Sequence, residues 1–315
     1  MTLTQPSCLK LPSDCPIEQN VSLAEFVTYR VGGPAEWFIA PHSLAQLQDS
    51  ATWAVAEGLP ITVLGAGSNL LISDRGLPGL VISTRYLRDQ TFNPDSGQVI
   101  VAAGKPLPRL CWQLAKQGWS GLEWAVGIPG TVGGAIVMNA GAHGGEIADC
   151  LVEALVLQPN GTLQTLSKAE LNYGYRSSSL QGQPQIVLQA TFALQPGQSP
   201  EGVQQQTEAH LNHRLTTQPY EMPSCGSVFR NPKPQKAGQL IEQSGLKGFR
   251  IGGAQVSEKH ANFIVNCGDA TAADIYALMF HVQRCVEDQW GLKLHPEVKI
   301  LGQFDTVTTQ PSSVS

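Results

Sequence analysis

Charged side chains are scarce, 14 % of 315 residues, and nowhere gather into a long basic run. With a net charge of −5 the chain lacks the electrostatic footprint of a nucleic-acid binder, and DNA and RNA are set aside as partners. The cysteines, seven in number, form no CxxC pair, and an odd set of scattered thiols fits a reduced, cytoplasmic protein better than a disulfide scaffold. No HExxH or other metal spacing occurs among the histidines, so no metal is expected. Residues 1–20, MTLTQPSCLKLPSDCPIEQN, lack both a basic leader and an apolar core of signal-peptide length, and no later apolar run is long enough to span a bilayer. The expectation is a cytoplasmic protein without a membrane partner, either a monomer or a weak dimer. No internal repeat is present.

What the chain does have is apolar residues, 42 %, and a length that suggests two or three lobes. Short β-branched runs alternate with glycine-rich turns: AEWFIA, ITVLG, GLVIS, QVIVAAG, EALVLQP and QIVLQATFAL read as strands. Two helices interrupt them. SLAQLQDSATWAVAEG has Ser43 as N-cap with Leu44 and Leu47 on one face, and PLPRLCWQLAKQG stops at Gly118. After a glutamine-rich helical stretch comes a block with its own signals, SVF, AGQLIEQ, FIVN and a long final helix. That helix has Thr271 and Asp274 at capping-box spacing, a stripe of Ile275, Leu278, Met279, Val282 and Val286, and Gly291 as its stop. The pattern is α+β, with a boundary expected near 197–204.

Two glycine loops stand out. VLGAGSNLLISDRGLPGLVI runs a strand into Gly65-Ala66-Gly67 but fails the Rossmann fingerprint, because Leu70 occupies the third glycine position and a turn follows instead of a helix. A tight loop of small residues still offers backbone N–H groups to an anion. GIPGTVGGAIVMNAGAHGG, residues 127–145, is denser in glycine than turns alone require. Glycine costs roughly 0.5–1 kcal/mol against alanine in an ordered element, so such density signals close backbone approach to something. Together the loops read as two halves of a cradle for a diphosphate-containing cofactor.

Three places offer chemistry. Arg176, in NYGYRSSS, is a fixed cation suited to a carboxylate or enolate, or else a salt-bridge partner. Glu297, in LKLHPEVKI, shares a strand face with His295 opposite Val298 and Ile300, and is either an acid at a site or part of a solvated face. In PSCGSVFRNP a β conformation puts Cys225 and Ser227 on one face. The thiol is the more acidic, with a reference pKa of about 8.5, yet a thiol beside a redox cofactor is open to oxidation. On the residues alone the two stay tied.

TYRVGGPAEWF, LGAGSNLLISDRG, GLEWAVGIPGTVGGAIVMNAGAHGGEIAD, YGYRSS, PSCGSVFRNP, AGQLIEQSGLKGFRIGGAQVSEKHANFIVN and HPEVKILG, in that order over roughly 25–302, resemble the UDP-N-acetylenolpyruvoylglucosamine reductase (MurB) family. The resemblance implies an α+β fold whose FAD-binding region is of the vanillyl-alcohol-oxidase (PCMH-like) type, followed by a substrate domain. It implies non-covalent FAD, NADPH as reductant and an enolpyruvyl UDP-sugar as substrate. The expected layout is a polar extension over 1–22, an FAD-binding region over 23–200 in lobes of about 23–88 and 89–200, a substrate domain over 201–303, and a flexible tail over 304–315. By motif position, Arg176 and Glu297 stabilise the enolate and Ser227 donates the proton. Tyr29, Gly65, Ala66, Gly67, Ser68, Asn69, Gly127, Gly130, Thr131, Gly133, Gly134, Ala135 and Asn139 fall to the cofactor, and Tyr175, Arg214, Arg230 and Asn231 to the substrate. The absence of a tyrosine-bearing insertion between Arg176 and Ser227 implies the shorter form of the family. Two rivals stay open: an oxidase on the same fold, and a nucleotide-binding protein without catalysis.

Overall fold

Short β-branched runs and two kinds of helix sort into two compact units in the computed structural model, which describes residues 9–11 and 13–305. Unit 1 takes the chain up to Val21, Ala35–Ser68 and Pro78–Thr217; unit 2 takes Ser22–Pro34, Asn69–Leu77 and everything from Gln218. The chain thus passes from one unit to the other several times, which no local composition shift signals. Residues 1–8, including Cys8, and 306–315 of the expected tail lie outside the described residues.

In unit 1 a five-stranded sheet runs Leu9–Lys10, Pro16–Ser22, Pro34–Ile39, Leu77–Ser83, Ile61–Leu64 in spatial order, the last two parallel. Pro16–Ser22, read from sequence as part of a polar extension, is therefore a sheet strand, and its Ile17 is fully buried. Helix α1, Leu44–Ala56, starts where Ser43 Oγ accepts from the Gln46 N–H at 3.2 Å. It buries Leu47, Ala51 and Ala54 with Ile39, Leu80 and Ile82. Leu44, expected beside Leu47 in the core, is 38 % exposed; in the first turn of α1 it lies off the buried stripe.

A second five-stranded sheet is antiparallel throughout, in the order Leu163–Ser167, Leu151–Leu157, Ile186–Ala193, Gln98–Ala102, Gln90–Asn93. Its core includes Val99, Val101, Ala154, Val156 and Phe192 together with Leu107, Leu110 and Leu114 of α2, Leu107–Lys116. The second glycine loop contains a short helix that the sequence reading missed: α3, Val132–Met138, capped by Thr131 and ended by Asn139 in the left-handed region at φ 42°. Past it lies α4, Ile147–Cys150. Helix α5, Pro200–Thr217, packs on α2 and on the 3-10 turn Glu123–Ala125, so it groups with unit 1 rather than with a C-terminal domain starting at 201.

Unit 2 holds a three-stranded sheet, Arg250–Ile251, Ala254–Val256 and Ile264–Asn266, with α6, Ala237–Gln243, and α7, Ala272–Trp290. The stripe expected on α7 is buried in full, each side chain at 1 % exposure or less and contributing about 1.5–3 kcal/mol. Both capping-box bonds between Thr271 and Asp274 form, and Gly291 ends the helix at φ 64°. Asp74, far off in sequence, adds a second cap: its two carboxylate oxygens accept from the Ala272 and Ala273 N–H groups, each at 2.9 Å. Leu70–Ile72, which continues directly from the first glycine loop, pairs in parallel with Lys299–Leu301. Among the described residues no helix is long and apolar enough to cross a membrane.

Candidate functional site

The two glycine loops meet within unit 1. Ser68 Oγ donates to the Pro129 carbonyl at 2.7 Å, and a Cβ on Gly65 would stand 2.5 Å from Thr131 Oγ1, so only glycine lets the strands of this cradle approach. Ala66 and Gly134 are exposed and Gly65, Ser68 and Gly130 half-buried, leaving small residues at the surface where the loops join. Thr131, Gly133 and Ala135 are buried, and Gly133 packs against Ala103. Arg214, expected at the substrate, lies on this loop from α5: a Cβ on Gly127 would stand 2.2 Å from its Cδ. The same helix presents His210 and His213 to His143, with ring centroids 4.6 and 5.3 Å away. Burial, then His210, Arg214 and His213, hold the His143 imidazole below its ordinary value.

Two of the residues expected at the cofactor have fully buried side chains. Tyr29 is fully buried among Val31, Cys225 and Phe229 in unit 2, with its carbonyl accepting from Asn266 Nδ2 at 2.9 Å. Asn139 is also fully buried, its amide donating to the Gly174 carbonyl and accepting from the Ala148 N–H, both at 3.0 Å. Neither side chain has surface to offer a cofactor. Asn69 follows the loop into unit 2, where its Nδ2 donates to the Glu297 carbonyl at 3.2 Å and its own carbonyl accepts from the Lys299 N–H at 2.9 Å. The end of the glycine loop therefore holds the backbone on which Glu297 sits.

Arg176 belongs to unit 1, half-buried in a turn at φ 54°. Gly174 and Ser177 exchange backbone bonds of 3.1 Å on either side of it. Its guanidinium donates to the Asn139 and Gly141 carbonyls just past α3 and lies 5.1 Å from the ring centroid of the exposed Tyr175. Cations are favoured at a helix C-terminus, where carbonyls collect.

Ser227 and Glu297 belong to unit 2, and the structure pairs their segments. The Glu297 N–H donates to the Val228 carbonyl at 2.7 Å, the Arg230 N–H to the His295 carbonyl at 2.9 Å, and Phe229 bridges Pro296. PSCGSVFRNP is not a continuous strand, however. Gly226 at φ 74° turns the chain, so Cys225 and Ser227 do not share a face. Cys225 is 2 % exposed with its Sγ against the Leu70 carbonyl, and burial pushes its thiol far up. Ser227 is half-buried. Asn231 spends its oxygen on the Ala237 N–H at 3.0 Å, closing the start of α6. Burial, followed by Arg230, lowers the Lys299 ammonium. Among the described residues no group of histidine, cysteine, aspartate or glutamate could hold a metal ion.

A family model described as FAD binding domain matches residues 35–167, and one described as UDP-N-acetylenolpyruvoylglucosamine reductase, C-terminal domain, matches 218–301. The chain is 61 % identical over 308 residues to the UDP-N-acetylenolpyruvoylglucosamine reductase of Acaryochloris marina (strain MBIC 11017), covering 98 % of this chain and 100 % of that one. It is 59 % identical to the enzyme of that name from Trichormus variabilis (strain ATCC 29413 / PCC 7937), over 93 % of this chain and 88 % of that one. The crystal structure of MurB from Thermus caldophilus matches at a TM-score of 0.77 and 35 % identity, covering 91 % of this chain and 100 % of that one. An α+β flavin-binding fold joined to such a C-terminal domain defines an FAD-dependent oxidoreductase. The chain belongs to the UDP-N-acetylenolpyruvoylglucosamine reductase family.

Proposed function

We propose that the protein uses NADPH to reduce UDP-N-acetyl-3-O-(1-carboxyvinyl)-glucosamine to UDP-N-acetylmuramate in peptidoglycan precursor synthesis. FAD, once bound, would supply the hydride-transfer chemistry between NADPH and the terminal carbon of the enolpyruvyl double bond. The glycine cradle of residues 65–68 and 127–131 would hold the FAD diphosphate non-covalently, its small side chains letting the group come close to the backbone. Negative charge then develops on the adjacent substrate carbon and spreads into its carboxylate. Arg176, held by backbone carbonyls, offers a fixed cation to that carboxylate, and Glu297 supports the same charge through a hydrogen bond. A preorganised donor of this kind is worth about 10²- to 10³-fold in rate. Ser227 gives its hydroxyl proton to the carbanionic carbon and is reprotonated from solvent.

The carrying observation is the direct backbone pairing of the Ser227 and Glu297 segments, 2.7 Å between the Glu297 nitrogen and the Val228 oxygen, which supports reading the two residues as acting from one part of unit 2. Tyr175 and Arg230 serve as substrate contacts, with residues 218–303 as the substrate-binding part and α5 on the flavin side. The chain is of the shorter form, without the tyrosine-bearing insertion. Mass spectrometry of the product tests this reading. The enolpyruvyl sugar nucleotide should gain two hydrogens per NADPH consumed in wild type and almost none in Ser227→Ala; unchanged substrate with wild type would sink it.

A further inference from the structure

Arg176 owes its place to a residue that touches it from two sides. Asn139 ends α3 in the left-handed region, where asparagine is tolerated far better than most side chains. Its carbonyl accepts from the Arg176 guanidinium. Its Nδ2 donates at 3.0 Å to the Gly174 carbonyl, the same oxygen that closes the Gly174–Ser177 turn around Arg176. Its Oδ1 accepts at 3.0 Å from the Ala148 N–H, anchoring the amide in α4. Neighbouring groups tie the same turn to α3: Ser178 Oγ donates to the Val137 carbonyl at 2.7 Å, and Gln181 Nε2 bridges the carbonyls of Val137 and Arg176 at 3.1 and 2.9 Å. Being fully buried, Asn139 meets no substrate itself.

We propose that Asn139 is the positioning residue for Arg176, fixing both the turn that carries it and one oxygen that orients its guanidinium. This rests on the reading of Arg176 as the cation for the substrate carboxylate. Misplacing a catalytic group by about 1 Å can cost about 10²-fold.

The test uses the flavin-loaded protein and two variants. Asn139→Asp keeps the acceptor for Ala148 but sets an oxygen against the Gly174 carbonyl; Asn139→Gly suits the backbone and removes both side-chain bonds. Hydrogen exchange should show the Gly174 and Ser177 amides exchanging several-fold faster in both variants, with Ala148 still protected in Asn139→Asp alone. Stopped-flow traces should show flavin reduction by NADPH unchanged, while reoxidation by the enolpyruvyl sugar nucleotide at saturation falls about 10²-fold. Loss of flavin, or equal slowing of both half-reactions, would make Asn139 a general structural residue and overturn the proposal. Wild-type reoxidation rates in Asn139→Asp would overturn it too. If reduced wild-type flavin is not reoxidised by that substrate, the function reading fails instead, and the exchange pattern alone decides whether Asn139 fixes the turn.

Discussion

At the scale of single residues the question is which hydroxyl, thiol or carboxylate can reach a reacting carbon. Cys225 and Ser227 were inseparable by spacing because both readings assumed a strand; the left-handed Gly226 between them is what sends one inward and leaves the other half-buried. Cys225→Ala should therefore cost about 1 kcal/mol of stability through a small cavity, read by denaturant unfolding, and leave the oxidative half-reaction nearly intact. Ser227→Ala should slow that half-reaction by orders of magnitude without changing flavin reduction by NADPH; a larger loss in the Cys225 variant would reverse the donor assignment. For Glu297, a side chain working by hydrogen-bond donation, the Gln variant should keep more activity than the Ala variant; equal loss of activity in both would point to proton transfer instead. The buried roles of Tyr29 and Asn139 were not legible in the sequence, because proximity to a glycine motif says nothing of which way a side chain faces.

Elements with local punctuation were read well. α7 announces itself through its capping box, its five-residue stripe and its terminal glycine, and all three are present in the structure. Thr271→Ala should cost only about 0.5–1 kcal/mol, the lower part of the usual range for a lost cap, because it frees the Asp274 N–H alone while Asp74 still caps the Ala272 and Ala273 N–H groups of the same turn. A fall well above that in thermal unfolding would show the remote cap to be incidental. What was missed depends on distant partners: α3 is too short and glycine-rich to register as a helix by periodicity, and Pro16–Ser22 is a strand because a neighbouring strand accepts it. The contact between α5 and the glycine loop is likewise tertiary. With the His143 pKa held down, the unfolded chain takes up that proton first, so unit 1 loses stability as pH falls through the ordinary histidine value of about 6.5. His143→Gln should flatten the drop in Tm between about pH 7.5 and 5.5 relative to wild type; an unchanged slope would mean the histidine stack does not contribute.

For the molecule as a whole, the motifs carried the family and the flavin, while the interleaved division into two units was hidden, since three separate segments build each unit and none is marked by composition. Ser227 and Glu297 lie in one unit and Arg176 in the other. Substitutions in each unit should therefore separate by readout: those in the cradle of unit 1 should lower flavin retention, and those at Ser227 and Glu297 of unit 2 should leave the flavin bound and slow only its reoxidation by substrate. The account turns on where those electrons go. Under anaerobic conditions NADPH should bleach the yellow protein, and the enolpyruvyl sugar nucleotide alone should then restore its colour. Recovery only on admission of oxygen would contradict it.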